Sequence, residues 1–179
     1  QEEPNIVWKP NSTAGSFDYT GYFAVFSGVL PFWATRFMAR NKEGTVKTST
    51  LAQMSIALIS VAIYFPAIVL ISRAIGTEAY LLVYFVAGLF IFNFYLISIF
   101  ESCLRSMKPQ VIGYGLLIEE VVKVTVALVL IVGLGQLFLG AILSLVISGL
   151  VQALYYMRLL AVEFKQKANW SYLKEWFKG

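Results

Sequence analysis

Glu119, Glu120 and Lys123 stand inside the near-continuous apolar run 111–134, VIGYGLLIEEVVKVTVALVLIVGL. About 20 apolar residues suffice to cross a bilayer as a helix. Each ionisable group at the centre of such a helix costs roughly 2.5–3.5 kcal/mol on insertion scales. Glu119 precedes Lys123 by four residues and Glu120 precedes it by three, so the three share one helix flank. Such a flank must meet protein or trapped water, never lipid tails. Two readings fit it: a self-neutralising ion pair packed against a neighbouring helix, or a site for a polar ligand, ion or proton inside a transport cavity. A carboxyl poised between protonation states would serve there as a proton or cation handle.

The elements that must position this flank follow from composition. Apolar residues make up 59% of the 179 and charged residues 13%, with a mean hydropathy of +0.74. Soluble domains carry about 45–50% apolar and about 25% charged residues, so the expected class is an all-α integral membrane protein. One cysteine, Cys103, excludes an internal disulfide, and the absence of histidine removes the commonest ligand of haem, copper and zinc. No nucleophile–base pair, phosphate loop, metal spacing or nucleic-acid-reading motif is present. No enzymatic chemistry, cofactor, metal or nucleic acid is expected.

Residues 1–19 are polar and turn-rich and read as an extracellular segment. No basic stretch precedes the first apolar run, so no signal peptide is expected. Residues 20–160 form the membrane domain, with five transmembrane spans at 20–37, 51–75, 80–100, 111–134 and 137–160. Pro31 and Pro66 fall inside the first two, where neighbouring helices must satisfy the carbonyls they free. The connector 133–136 is short, so the last two spans form a tight antiparallel hairpin. Residues 161–179 form a cytoplasmic tail. Its Trp170, Leu173, Trp176 and Phe177 recur at helical spacing, with Lys174 and Lys178 on another face, which predicts an amphipathic interfacial helix.

Basic residues set the orientation. Arg36, Arg40, Lys42 and Lys47 follow span one, Arg105 and Lys108 follow span three, and Arg158, Lys165, Lys167, Lys174 and Lys178 follow span five. These are eleven of the fourteen Lys and Arg residues. Lys9 and Arg73 lie on the opposite side, and Lys123 within the membrane. The chain is therefore expected in the cell membrane, multi-pass, with its N-terminal segment outside and its tail in the cytoplasm. Asn11-Ser12-Thr13 is a glycosylation sequon on the outer side.

Further polar residues complete the candidate set. Asn93 lies midway along span three. Gly140, Ser144, Ser148 and Gln152 recur every four residues along span five, a seam that lets helices approach closely, and Gln152 is also placed to line a cavity. Arg36 and Arg40, in PFWATRFMAR at the inner end of span one, read as snorkelling anchors or as guanidinium forks for a phosphate or pyrophosphate at the inner mouth. Glu101 and Arg105, four residues apart, read as a surface pair.

The order of TRFMARNKEG, the SRAIGTEAY turn and ESCLRSMKPQVIGYGLLIEEVVKVTVALVLIVGLG resembles the polysaccharide and lipid-linked-oligosaccharide flippases of the multidrug/oligosaccharidyl-lipid/polysaccharide exporter superfamily. The resemblance covers about residues 20–178 and rests on pattern and order. It places the five spans as helices two to six of an N-terminal lobe. The other helices would come from the same protein or from partner membrane subunits. It implies a transporter that flips a lipid-linked oligosaccharide or similar amphipathic lipid by alternating access. Glu119, Glu120, Lys123, Asn93 and Gln152 would then line the cavity, and Arg36 and Arg40 would meet the head group at the inner mouth. The alternative is a non-catalytic transmembrane scaffold subunit of a larger complex, with the charged trio as its docking pair.

The charge bias makes a direct prediction. A cysteine introduced at Ser12 should react with an impermeant maleimide in intact cells, and one at Ser171 should not. The opposite labelling pattern would reverse every side assignment.

Overall fold

The computed structural model describes residues 20–40 and 43–178, excepting the side chains of Leu173, Trp176, Phe177 and Lys178. The N-terminal segment with its sequon at Asn11 lies outside them. The described residues are helical apart from short turns and connectors, with no strand. Residues 20–24 are helical and run through a 3-10 turn, Val25–Gly28, into α1 (Val29–Ala39). Then follow α2 (Thr45–Ile75), a 3-10 turn at Glu78–Tyr80, α3 (Leu81–Met107) and α4 (Gln110–Ala127). A π turn, Leu128–Gly133, continues α4, and α5 (Leu137–Leu159) and α6 (Ser171–Lys178) complete the order.

Three helical stretches are long and apolar enough to cross a membrane: Thr45–Ile75, Glu78–Met107 and Leu137–Leu159. That fits a membrane protein. The other two expected spans differ from these in a physical way. The first is broken by its 3-10 turn, and α4 carries the three ionisable groups.

The break at the first segment has a local cause. Pro31 has no N–H to bond the carbonyl of Ser27, four residues back. Neighbouring helices supply the missing donors: Gln53 Nε2 at 2.8 Å and Ser98 Oγ at 3.3 Å both donate to Ser27 O. The Tyr95 hydroxyl donates to Phe23 O at 2.9 Å on the same segment. α2 and α3 thus grip the first segment through its own broken backbone. α2 starts at Thr45 rather than Leu51 because Gly44 (φ 77°) turns the chain just before it. It stops at Gly76 (φ 74°), where Thr77 N donates to Ser72 O at 2.9 Å in a left-handed helix cap.

α3 is the hub, packed against α1, α2 and α5. Its Ile91, Tyr95, Ile99 and Cys103 are fully buried. Asn93 Nδ2 donates to Val146 O at 2.8 Å, a bond from α3 to the backbone of α5. Gly140, Ser144, Ser148 and Gln152 of the α5 seam are all buried. α4 is peripheral: it lies along α5 and touches α3 only slightly.

The start of the tail is tied to the α1–α2 turn. Gln166 Oε1 accepts from Gly44 N, Asn169 N donates to Thr48 Oγ1 at 2.8 Å, and Tyr172 Oη donates to Glu43 O at 3.1 Å. The Lys167 carbonyl occupies the space that a Cβ on residue 44 would need. Gly44→Ala should therefore cost about 1–3 kcal/mol through strain and overpacking. Thermal unfolding should shift downward, and a cysteine placed at Asn169 should become more reactive; an unchanged unfolding curve would remove Gly44 from this role.

Candidate functional site

The polar residues of α3 at its Met107 end form the floor of the site. Ser98, Glu101 or Ser102, and Arg105 recur every three to four residues and so share one face of the helix. Against that face stands Arg36 of α1. Its guanidinium lies 5.5 Å from the ring centres of both Phe32 and Trp33, cation–π contacts that hold it in place. Between α1 and α3 is a cleft of about 370 Å³, lined among others by Phe32, Thr35, Arg36, Ser98, Glu101 and Arg105. A second cleft of about 240 Å³ on the tail side is lined by Trp33, Arg36, Phe37, Arg40 and Glu175. Arg36 belongs to both, so the structure joins it to Arg40 on one side and to Arg105 on the other.

Glu101 connects the first cleft to α4 and α5. Its Oε1 is 3.3 Å from the hydroxyl of Tyr156, which is fully buried. That hydroxyl is also 3.2 Å from Ile112 O, and it accepts from Gln152 Nε2 at 3.2 Å. Its single proton serves either the carboxylate on α3 or the carbonyl on α4. The Tyr156 ring fills the space that a Cβ at Gly115 would need, so glycine at 115 lets α4 approach this tyrosine. Gly113, two residues earlier, faces open space.

Ile112, Gly115 and Glu119 recur at i, i+3 and i+7 and so lie on the same flank of α4. Glu119 stands one turn beyond Gly115 on the flank of α4 that packs against Tyr156. Lys123 Nζ lies 3.9 Å from Glu119 Oε1 and makes a close ion pair and hydrogen bond with Glu120. The side chains are 21% exposed for Glu119, 26% for Lys123 and 59% for Glu120. At about 100° per residue, Lys123 falls between its two acidic partners. Glu119 faces the bundle and Glu120 faces away from it.

The structure brings the three charges together, and brings Gln152 to Glu101 through Tyr156. Asn93 is buried with its amide bonded to the backbone of α5. Sequence reasoning missed Tyr156, which reads as one more apolar core residue of span five. It also read Glu101 and Arg105 as a surface pair, whereas both line the cleft and Glu101 reaches Tyr156. The available signals were the four-residue spacing of Gln152 and Tyr156 and the glycine at 115. Among the described residues no cluster of Cys, Asp or Glu side chains could hold a metal ion. Comparisons of the chain with protein-family models, with curated proteins and with solved structures give no match.

Gly115→Ala should force Tyr156 to shift and cost about 1–3 kcal/mol, while Gly113→Ala should change stability little. Chemical or thermal unfolding of both variants in detergent checks this; equal effects would mean that the α4–Tyr156 contact is not tight.

Proposed function

We propose that the chain forms one side of a membrane transporter that flips a lipid-linked oligosaccharide or similar amphipathic lipid by alternating access. In this reading five spans cross the cell membrane, the N-terminal segment lies outside, and the amphipathic tail lies along the cytoplasmic leaflet. The observation that carries it is a run of polar groups: the α1–α3 cleft with two guanidinium groups, then Glu101 bonded to Tyr156, with Glu119 one turn beyond the Gly115 against which Tyr156 packs. Groups of this kind inside a membrane mark pathways for polar cargo. The cleft also offers Pro31 and Phe32, which suits a ligand with an anionic head and an apolar body. Arg36 and Arg40 hold the head group at the inner mouth, joined there by Arg105. Glu119 supplies the polar wall deeper in with Lys123 beside it, Glu120 stands outside that wall as the outer partner of Lys123, and Gln152 orients Tyr156. Asn93 keeps α3 and α5 in register beside that wall. The family pattern in the sequence supports the same reading, with the second lobe supplied by further helices of the same protein or by partner subunits.

The test is translocation of a fluorescent polyprenyl-diphosphate sugar by the protein reconstituted with its remaining helices or partners. Glu119→Gln and Lys123→Met should each slow flipping by about tenfold or more. A purely structural ion pair predicts that the double change restores both folding and rate, because a buried pair is replaceable by apolar groups at little cost. A transport site predicts a double variant that folds and inserts yet stays inactive. Full flipping by a well-folded double variant would overturn the assignment, and an intact complex with no flipping in the wild type would favour the scaffold role.

A further inference from the structure

The tail divides into a root and a blade. Its root is fixed to the start of α2, where Gln166 Oε1 accepts from Gly44 N and Asn169 N donates to Thr48 Oγ1 at 2.8 Å. Residues 166–170 carry no helix, and the blade α6 follows them. α6 has eight residues, too few for a stable helix by itself, so its order depends on what it lies against. Tyr172 lays its ring 5.4 Å from that of Phe37 and donates its hydroxyl to Glu43 O. Glu175 is three residues further on, on the same flank of α6. It lines the cleft of about 240 Å³ that also holds Arg36 and Arg40, which are four residues apart on one flank of α1.

We propose that α6 is a strap across this cleft, and that Glu175 holds the place an anionic lipid head group takes when it binds Arg36 and Arg40. This rests on the reading of those two arginines as the head-group site. A carboxylate and a phosphate present the same acceptor oxygens to a guanidinium fork, so the two are rivals for one pair of cations. Glu175 is exposed, and an ion contact at an exposed site is weak, so a diphosphate with its greater charge can displace it. Trp33 and Phe37 line the same cleft and favour a head group that brings apolar chain with it. The root stays bonded to α2 while the blade swings out.

In the protein reconstituted with its remaining helices or partners, spin labels on Lys47→Cys of α2 and Lys174→Cys of α6 report the strap. Farnesyl diphosphate should lengthen the distance between them at lower concentration than inorganic pyrophosphate does, and farnesol should leave it unchanged. Glu175→Gln should shift it to longer values with no ligand present and bind farnesyl diphosphate about threefold to fivefold more tightly. Arg40→Gln should weaken that binding with either residue at 175. A distance that farnesyl diphosphate leaves unchanged, while Arg40→Gln still weakens its binding, overturns the strap and leaves the head-group site standing. Tighter binding by Glu175→Gln with α6 still docked also overturns it, because loss of a nearby negative charge alone would do that. Release by farnesol, or by pyrophosphate at the lower concentration, overturns a lipid head group as the occupant. Binding unaffected by both Arg36→Gln and Arg40→Gln overturns the head-group site and the strap with it.

Discussion

The carbonyl of Ser27 lacks its i+4 helical donor because Pro31 has no N–H. Gln53 and Ser98 take up that carbonyl, and Tyr95 takes up Phe23 O nearby. Each donor comes from α2 or α3, so the defect in the first segment dictates which helices flank it. The same rule runs through the bundle: Asn93 spends its amide on Val146 O, and Tyr64 spends its hydroxyl on Tyr84 O at 2.9 Å. In an apolar solvent these bonds between elements do what apolar burial does in water, since lipid tails give leucine little reason to leave them.

From this follows a separation between an interior whose buried polar side chains are mostly hydrogen-bonded, Thr50 Oγ1 and Gln53 Oε1 excepted among the described residues, and a more open rim. α3 is enclosed on several sides and its mid-section is spent on packing. Its Met107 end is less enclosed, and there Glu101 and Arg105 face the cleft with Arg36 of α1. α4, held chiefly by α5, presents its charged flank at the margin of the bundle. Tyr156 joins the two regions, standing between a carboxylate of α3 and the backbone of α4. The inward and outward flanks of α4 differ accordingly, with Glu119 on the one and Glu120 on the other.

Hydropathy made α2, α3 and α5 legible as long apolar helices, because about 20 or more residues of one solvent preference leave little else to form. Their ends were less legible. Thr45–Thr50 is too polar to extend a hydropathy run, yet the positive φ of Gly44 starts the helix there. α3 likewise continues past Phe100 through Glu101 and Arg105, because charged residues at a helix end break hydropathy without breaking the helix. The polar face was the hardest part to read. Tyr156 finds its partners 44 and 55 residues away in sequence, beyond any local spacing rule. Glu119 and Glu120 look alike in one dimension, and only the placement of α5 against Gly115 distinguishes the inward carboxylate from the outward one.

Lys123 is a single ammonium shared by two acids, and sharing makes it a balance. A cation brought to Glu120 from outside the bundle would leave Lys123 to Glu119 on the inside, and a cation arriving at Glu119 would leave it to Glu120. The two sides of α4 therefore compete for one charge, and whatever free energy one ligand gains by freeing that lysine, the other gains in equal measure. A helix only about 10 Å thick thereby links its inner and outer flanks through one side chain, with no change in its backbone required.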